Sequence, residues 1–134
     1  MSGHVPIFPE ATPELAEQRN RLAPGPAGAF RAFSRSVFAE GAMPVKTKQL
    51  IAVAVAHVTQ CPYCIRGHTE LATTKGATEQ EIMEAIWVAA EMRAGGAYAH
   101  SVIALDTIAR AKQRARATLR RSLVFSGADV ERHE

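Results

Sequence analysis

Residues 45–60 read VKTKQLIAVAVAHVTQ, and the next four, Cys61-Pro62-Tyr63-Cys64, hold both cysteines of the chain. How this stretch folds decides the rest. Its middle is apolar all round, which suits an element buried on every side. The Val53/Val55 alternation is also compatible with a strand, and periodicity alone does not separate the two over so short a run. Length and the alanines favour a helix from Val45 to about Gln60. Pro62 then stands in the first turn of a further helix running to Lys75, with Gly76 just past its end.

The same signals extend in both directions. Upstream, Thr12-Pro13 reads as an N-cap and a first-position proline, opening a helix to about Leu22. Ala23-Pro24-Gly25-Pro26 is expected to break it. A second amphipathic stretch, Ala29 to Glu40, carries Phe30, Phe33, Val37 and Phe38 at helical spacing and ends at Gly41. Downstream, Thr78-Glu79-Gln80-Glu81 forms a capping box, and Ile82, Ala85, Ile86 and Ala89 supply the apolar face of the next helix. Gly95-Gly96 is expected to break that helix. A final one runs from Ala97 to about Leu123 and carries Val102, Leu105, Ile108 and Ala109. Trp87 and the phenylalanines read as core.

No strand pair, hairpin signal, internal repeat or linker interrupts this pattern. The expectation is one all-α domain over residues 1–134, built from about six helices. Its core lies within about 12–123, and the tails at 1–11 and 126–134 are loose. Several helices are almost wholly apolar and rich in alanine and glycine. A chain of 134 residues buries too little on its own to cover them, which points to a homo-oligomer.

Composition narrows the function classes. A hydrophobic fraction of 47% with 22% charged residues is that of a soluble globular protein. The net charge of +3 is too small to imply a nucleic-acid or membrane partner, and neither is expected. Met1 to Glu10 lacks the apolar run of a secretion signal, and Leu50 to Ala56 falls far short of the roughly 20 residues that cross a bilayer. The expected location is the cytoplasm. In that reducing setting a close cysteine pair is more often catalytic, redox-sensing or metal-binding than a permanent staple.

Cys64 and His68 are four apart, one turn on the same face of a helix. A thiolate is favoured at a helix N-terminus and beside a cationic group. A thiolate at Cys64 can attack a peroxide oxygen to give a sulfenic acid, with which Cys61 condenses. A dithiol reductant restores the pair by exchange. Three other readings stay open on the residues alone. The cysteines can be two buried small hydrophobes. His57, Cys61, Cys64 and His68 contain a tetrahedral zinc ligand set, although on one continuous helix the outer two are about 16 Å apart, at about 1.5 Å per residue. Convergence would need a sharp bend near Gln60 to Pro62. A thioredoxin-like site has the same local outline, but the βα alternation of a parallel sheet is missing.

Met43-Pro44-Val45-Lys46-Thr47-Lys48-Gln49-Leu50-Ile51-Ala52-Val53-Ala54-Val55-Ala56, then Cys61-Pro62-Tyr63-Cys64-Ile65-Arg66-Gly67-His68, resembles the AhpD-like branch of the carboxymuconolactone decarboxylase family. The similarity continues through Lys75-Gly76-Ala77-Thr78 to about Gly96. The resemblance implies an all-helical, single-repeat bundle that assembles as a trimer or hexamer and needs no cofactor and no metal. It implies alkylhydroperoxidase activity on a peroxide substrate, with a dithiol reductant such as a dihydrolipoamide-like group or a thiol protein. Cys64 maps onto the peroxidatic cysteine, Cys61 onto the resolving one, and His68 and Tyr63 onto the proton relay. The family's relay usually starts from a glutamate twelve residues before the first cysteine, where this chain has Gln49. An amide can hold a histidine, but it is no general base near neutral pH. His57 is the candidate to substitute for it. Gln49 also supports a non-catalytic redox-sensing module that keeps a reversible disulfide. The lactone-decarboxylase activity of the wider family does not need a CxxC.

His4 and His133 lie in the expected tails, and His100 reads as a surface or interface residue. Arg110, Lys112, Arg114, Arg116, Arg120 and Arg121 follow one another with no acid between Asp106 and Asp129. Cations near a helix C-terminus suit its dipole. A solvated face is favoured here over a nucleic-acid or acidic-partner patch.

Overall fold

The computed structural model describes residues 6–128, and those residues are all-α, with no strand among them. Five helices follow in order: α1 (Pro13–Leu22), α2 (Pro24–Val37), α3 (Val45–Thr59), α4 (Pro62–Thr74) and α5 (Glu79–Ala128). His4 and His133 fall outside the described residues. By internal packing the chain divides after Met92 into two units. The first contains α1 to α4 and the start of α5, and the second contains the rest of α5.

Several caps form as the sequence predicts. The Thr12 side chain accepts the Leu15 N–H (3.3 Å), with Pro13 at the first helical position. Thr78 and Glu81 close a reciprocal capping box, with Thr78 N–H to Glu81 Oε2 at 2.8 Å and Glu81 N–H to Thr78 Oγ1 at 3.1 Å. At the end of α4, Gly76 adopts φ 88°, the left-handed region that a side chain disfavours. The turn is closed by Gly76 N–H to Thr73 O and Ala77 N–H to Ala72 O, both 2.9 Å.

Of the two expected breaks, the first is present but short: α1 ends at Leu22 and Ala23 is non-helical (φ −143°, ψ 71°). Pro24 and Pro26 already lie in the first turn of α2, which starts five residues before the expected Ala29 and ends at Val37 instead of Glu40. First-turn N–H groups have no partner within a helix, so proline loses nothing there. Gly95-Gly96 is helical, and the two helices expected on either side are one. Each glycine costs a helix about 1 kcal/mol relative to alanine but removes no hydrogen bond and creates no clash. Good helix formers on both sides carry the chain through.

The first unit is organised by the α3–α4 hairpin. Gln60 ends α3 in the left-handed conformation (φ 56°, ψ 43°), and the Cys61 N–H returns to Ala56 O at 3.2 Å. This two-residue turn folds α4 back on α3. Val53, Ala72, Ala77 and Ile82 form the core, with Leu50 and Ile86 packed against it. Lys46 and Glu81 (2.9 Å) link the first turns of α3 and α5. Ile82 and Ala89 are buried, and Ala85 and Ile86 are half-buried, as the spacing of that helix predicts.

The expected aromatic core needs correction. Trp87 is 71% exposed, and Phe30 and Phe33 are also exposed. Among the described residues of the first unit no element lies over these faces. α3 is not enclosed on every side either: Gln49, Val53 and Ala56 are buried, but Ile51 and Val55 are exposed. Its exposed face has a different use.

Candidate active site

The turn at Gln60 makes Cys61 the N-cap of α4. Its Sγ accepts the Cys64 N–H at 3.3 Å, one of the first-turn donors that otherwise has no helical partner. Pro62 fixes the first position. One turn on, the Cys64 Sγ lies 2.6 Å from the Cys61 Sγ. Both cysteines are free thiols and half-buried.

The two thiols are unequal. The hydrogen bond from the Cys64 thiol, and next the Cys64 N–H, hold Cys61 below the ordinary thiol range. Cys64 is pushed up, first because its own hydrogen bond to Cys61 favours the protonated form, then by burial and by the negative charge on Cys61. These causes make Cys61 the more acidic member of a pair that titrates as a coupled unit.

His68 sits on α4 one turn past Cys64 and reaches across the hairpin. Its Nδ1–H donates to Gln49 Oε1 at 2.8 Å. Gln49 is 4% exposed and is the buried polar side chain of the first unit's interior. In this arrangement the proton on Nδ1 is held by the amide oxygen, which leaves Nε2 as the ring nitrogen open to proton exchange. Phe38 stacks on the imidazole, with centroids 5.2 Å apart and planes at 28°. Phe38 is itself positioned by the loop between α2 and α3. Lys48 Nζ donates to Val37 O (2.8 Å) and Ala39 O (2.6 Å), and Glu40 accepts the Val45 N–H (3.1 Å).

Cys64 and His68 line an apolar hollow of about 520 Å³. Its walls are Val37, Phe38, Met43 and one face of α3, namely Lys48, Ile51, Ala52, Val55, Ala56 and Thr59. The sequence reading missed this wall. Positions 48, 51, 52, 55 and 59 share a helical face, so the signal was present but had been assigned to burial. Phe38 had no comparable signal, since its role depends on the loop that follows it.

The structure brings Cys61, Cys64, His68 and Gln49 together, but two other candidates lie apart from them. The Tyr63 hydroxyl donates to the Pro9 carbonyl (2.9 Å), and its ring meets the edge of Phe8. It does not line the hollow. The His57 Nδ1–H donates to Val53 O within its own helix at 2.7 Å. The sharp bend that the zinc alternative required exists at Gln60. Even so, no group of three or more histidine, cysteine or acidic side chains is arranged to hold a metal among the described residues.

The profile of the carboxymuconolactone decarboxylase family matches residues 24–107. The chain belongs to this family. A Paracoccus denitrificans protein described as uncharacterized protein 4 of the cox locus is 60% identical over 101 residues, which cover 75% of this chain and 90% of that protein. An uncharacterized protein of Cupriavidus necator is 34% identical over 72 residues, 54% of this chain and 64% of its own length. Among solved structures, a Methanobacterium thermoautotrophicum protein superposes with a TM-score of 0.58 at 38% identity, over 60% of this chain and 91% of its own. A carboxymuconolactone decarboxylase family protein from Legionella pneumophila, solved in its apo form, gives 0.54 at 34% identity, over 59% and 70% respectively. The family match contains the cysteine pair, the Gln49–His68 bond and the apolar hollow.

Proposed function

We propose that the protein is a thiol-dependent peroxidase of the AhpD-like kind, reducing organic hydroperoxides with electrons from a dithiol. The observation that carries this reading is the pair of free thiols 2.6 Å apart, of which Cys64 shares an apolar hollow with His68. The reactive form is the one in which Cys61, the more acidic of the two thiols, has lost its proton. When a hydroperoxide enters the hollow, Cys61 takes the Cys64 proton across their hydrogen bond, and the Cys64 sulfur attacks the terminal oxygen. The O–O bond breaks, leaving a sulfenic acid on Cys64 and an alkoxide that takes up a proton, with His68 as its conduit. The Cys61 sulfur then displaces hydroxide from the sulfenic acid, so a disulfide and, after protonation, water result. A dithiol returns the two electrons by exchange. Tyr63 and His57 belong to this reading only as outer groups, one tied to Pro9 and the other to its own helix.

Gln49 favours one competing reading, a redox-sensing module with a reversible disulfide and no turnover, because an amide cannot draw a proton away from His68. The deciding experiment is hydroperoxide consumption by the reduced protein with dihydrolipoamide, comparing wild type, Cys64→Ser and Cys61→Ser. Turnover that both substitutions abolish supports the peroxidase. A disulfide that forms and is reduced reversibly, with no turnover, leaves the sensor.

A further inference from the structure

The family match ends at residue 107, but α5 continues to Ala128. That extension carries six cations between Arg110 and Arg121 and no acid before Asp129. The overall charge of +3 hides this, because the acids lie elsewhere. Ile108, Ala111, Ala115, Leu119 and Leu123 recur at helical spacing on one mostly apolar face, which Lys112 and Ser122 share. Ile108, Leu119 and Leu123 are 49%, 62% and 64% exposed. Arg116 and Arg120 flank the stripe on one side and Arg114 and Arg121 on the other. Of the six cations, Arg110 alone is ion-paired among the described residues, with Asp106 at 2.8 Å.

We propose that this extension is a docking face for an anionic phospholipid surface, with the helix lying on the surface rather than crossing it. No described helix is long and apolar enough to span a bilayer. The charge pattern selects the occupant. A second copy of the segment would set arginine against arginine with no acid to pair, which opposes association. A nucleic acid would engage the arginines but leave Leu119 and Leu123 in water. A lipid surface engages both: headgroup phosphates accept from the guanidinium groups, the leucines enter the acyl boundary, and the long cationic stems reach back to the headgroups. The proposal is independent of the cysteine chemistry, since none of these residues belongs to the hollow.

The test is co-sedimentation of the full chain with phosphatidylcholine vesicles, with and without phosphatidylglycerol, at low salt. Wild type should bind only the anionic vesicles. Arg116→Glu with Arg120→Glu should weaken binding about tenfold or more, and Leu119→Ser with Leu123→Ser several-fold at unchanged charge. Far-UV circular dichroism on each variant checks that the helix persists, as expected for exposed positions. The proposal is overturned if wild type ignores the anionic lipid or binds both vesicles alike. It is overturned equally if the leucine variant binds as well as wild type, or if wild type instead retains a DNA duplex whose binding the leucine variant leaves intact.

Discussion

Cys61 and Cys64 have the same side chain and opposite acidities because one caps a helix and the other lies inside its first turn. Cys61 receives the Cys64 thiol hydrogen bond and the Cys64 N–H, which lower its pKa; Cys64 gives up its hydrogen to that anion and is partly buried, which raises it. Alkylation follows the thiolate. As pH rises, Cys61 should therefore label first, with a midpoint below that of a free cysteine, and Cys64 later, with a midpoint above it. Site-resolved mass spectrometry after iodoacetamide pulses reads both profiles. Cys61→Ser should bring the Cys64 midpoint back toward the ordinary range, since its largest perturbation is removed. A Cys64 midpoint below that of Cys61 in wild type would reverse the direction of proton transfer proposed here. Gln49 is the second decisive residue. In Gln49→Glu a carboxylate would accept from His68 Nδ1–H and favour the charged ring, so hydroperoxide turnover should rise by roughly tenfold or more. Gln49→Leu leaves the ring N–H without its acceptor and should lower both turnover and stability, the latter by about 1–3 kcal/mol.

At the scale of elements, the legible features were those with local causes. Thr12-Pro13, the Thr78–Glu81 box and Gly76 each act within a few residues, and each forms as the sequence predicts. Gly76→Ala should accordingly destabilise by about 1 kcal/mol or more, because the alanine must keep a positive φ. Thr78→Ala should cost about 1 kcal/mol through the lost cap. Urea unfolding at fixed protein concentration measures both, and an unchanged midpoint for Gly76→Ala would mean the turn relaxes to another conformation. The proline run ends α1 at Leu22 as expected, but the start of α2 at Pro24 and the continuity through Gly95-Gly96 were missed, because composition alone does not say where in a helix it falls. Proline is harmless in a first turn, and a glycine pair is only a modest penalty inside a long helix. The cysteine pair and His68 were legible from spacing. The Gln49–His68 bond required knowing that α4 folds back on α3, which the left-handed Gln60 brings about and no spacing rule announces.

For the whole molecule, the question is what covers the apolar surface. The first unit's buried hydrophobic residues are mostly alanines, with Val53 the largest side chain fully removed from water. Meanwhile Trp87, Val88 and Met92 on α5, and Phe30 and Phe33 on α2, are each at least 60% exposed. A side chain of that size contributes about 1.5–3 kcal/mol when buried, so a lone chain leaves out more than it keeps in. Oligomerisation through these faces is the arrangement we propose, with identical subunits providing the core that each lacks. Charge does not oppose contact between the two kinds of face, because α2 carries only the cations Arg31 and Arg35 and α5 up to Met92 only the acids Glu79, Glu81, Glu84 and Glu91. Light scattering coupled to gel filtration should give a mass that is a multiple of 14.5 kDa. Trp87→Glu should shift it toward the monomer and lower the thermal midpoint, since stability is then linked to subunit concentration. A wild-type protein that stays monomeric at high concentration, with Trp87→Glu as stable as wild type, would mean that this surface is open in solution and that folding does not depend on covering it.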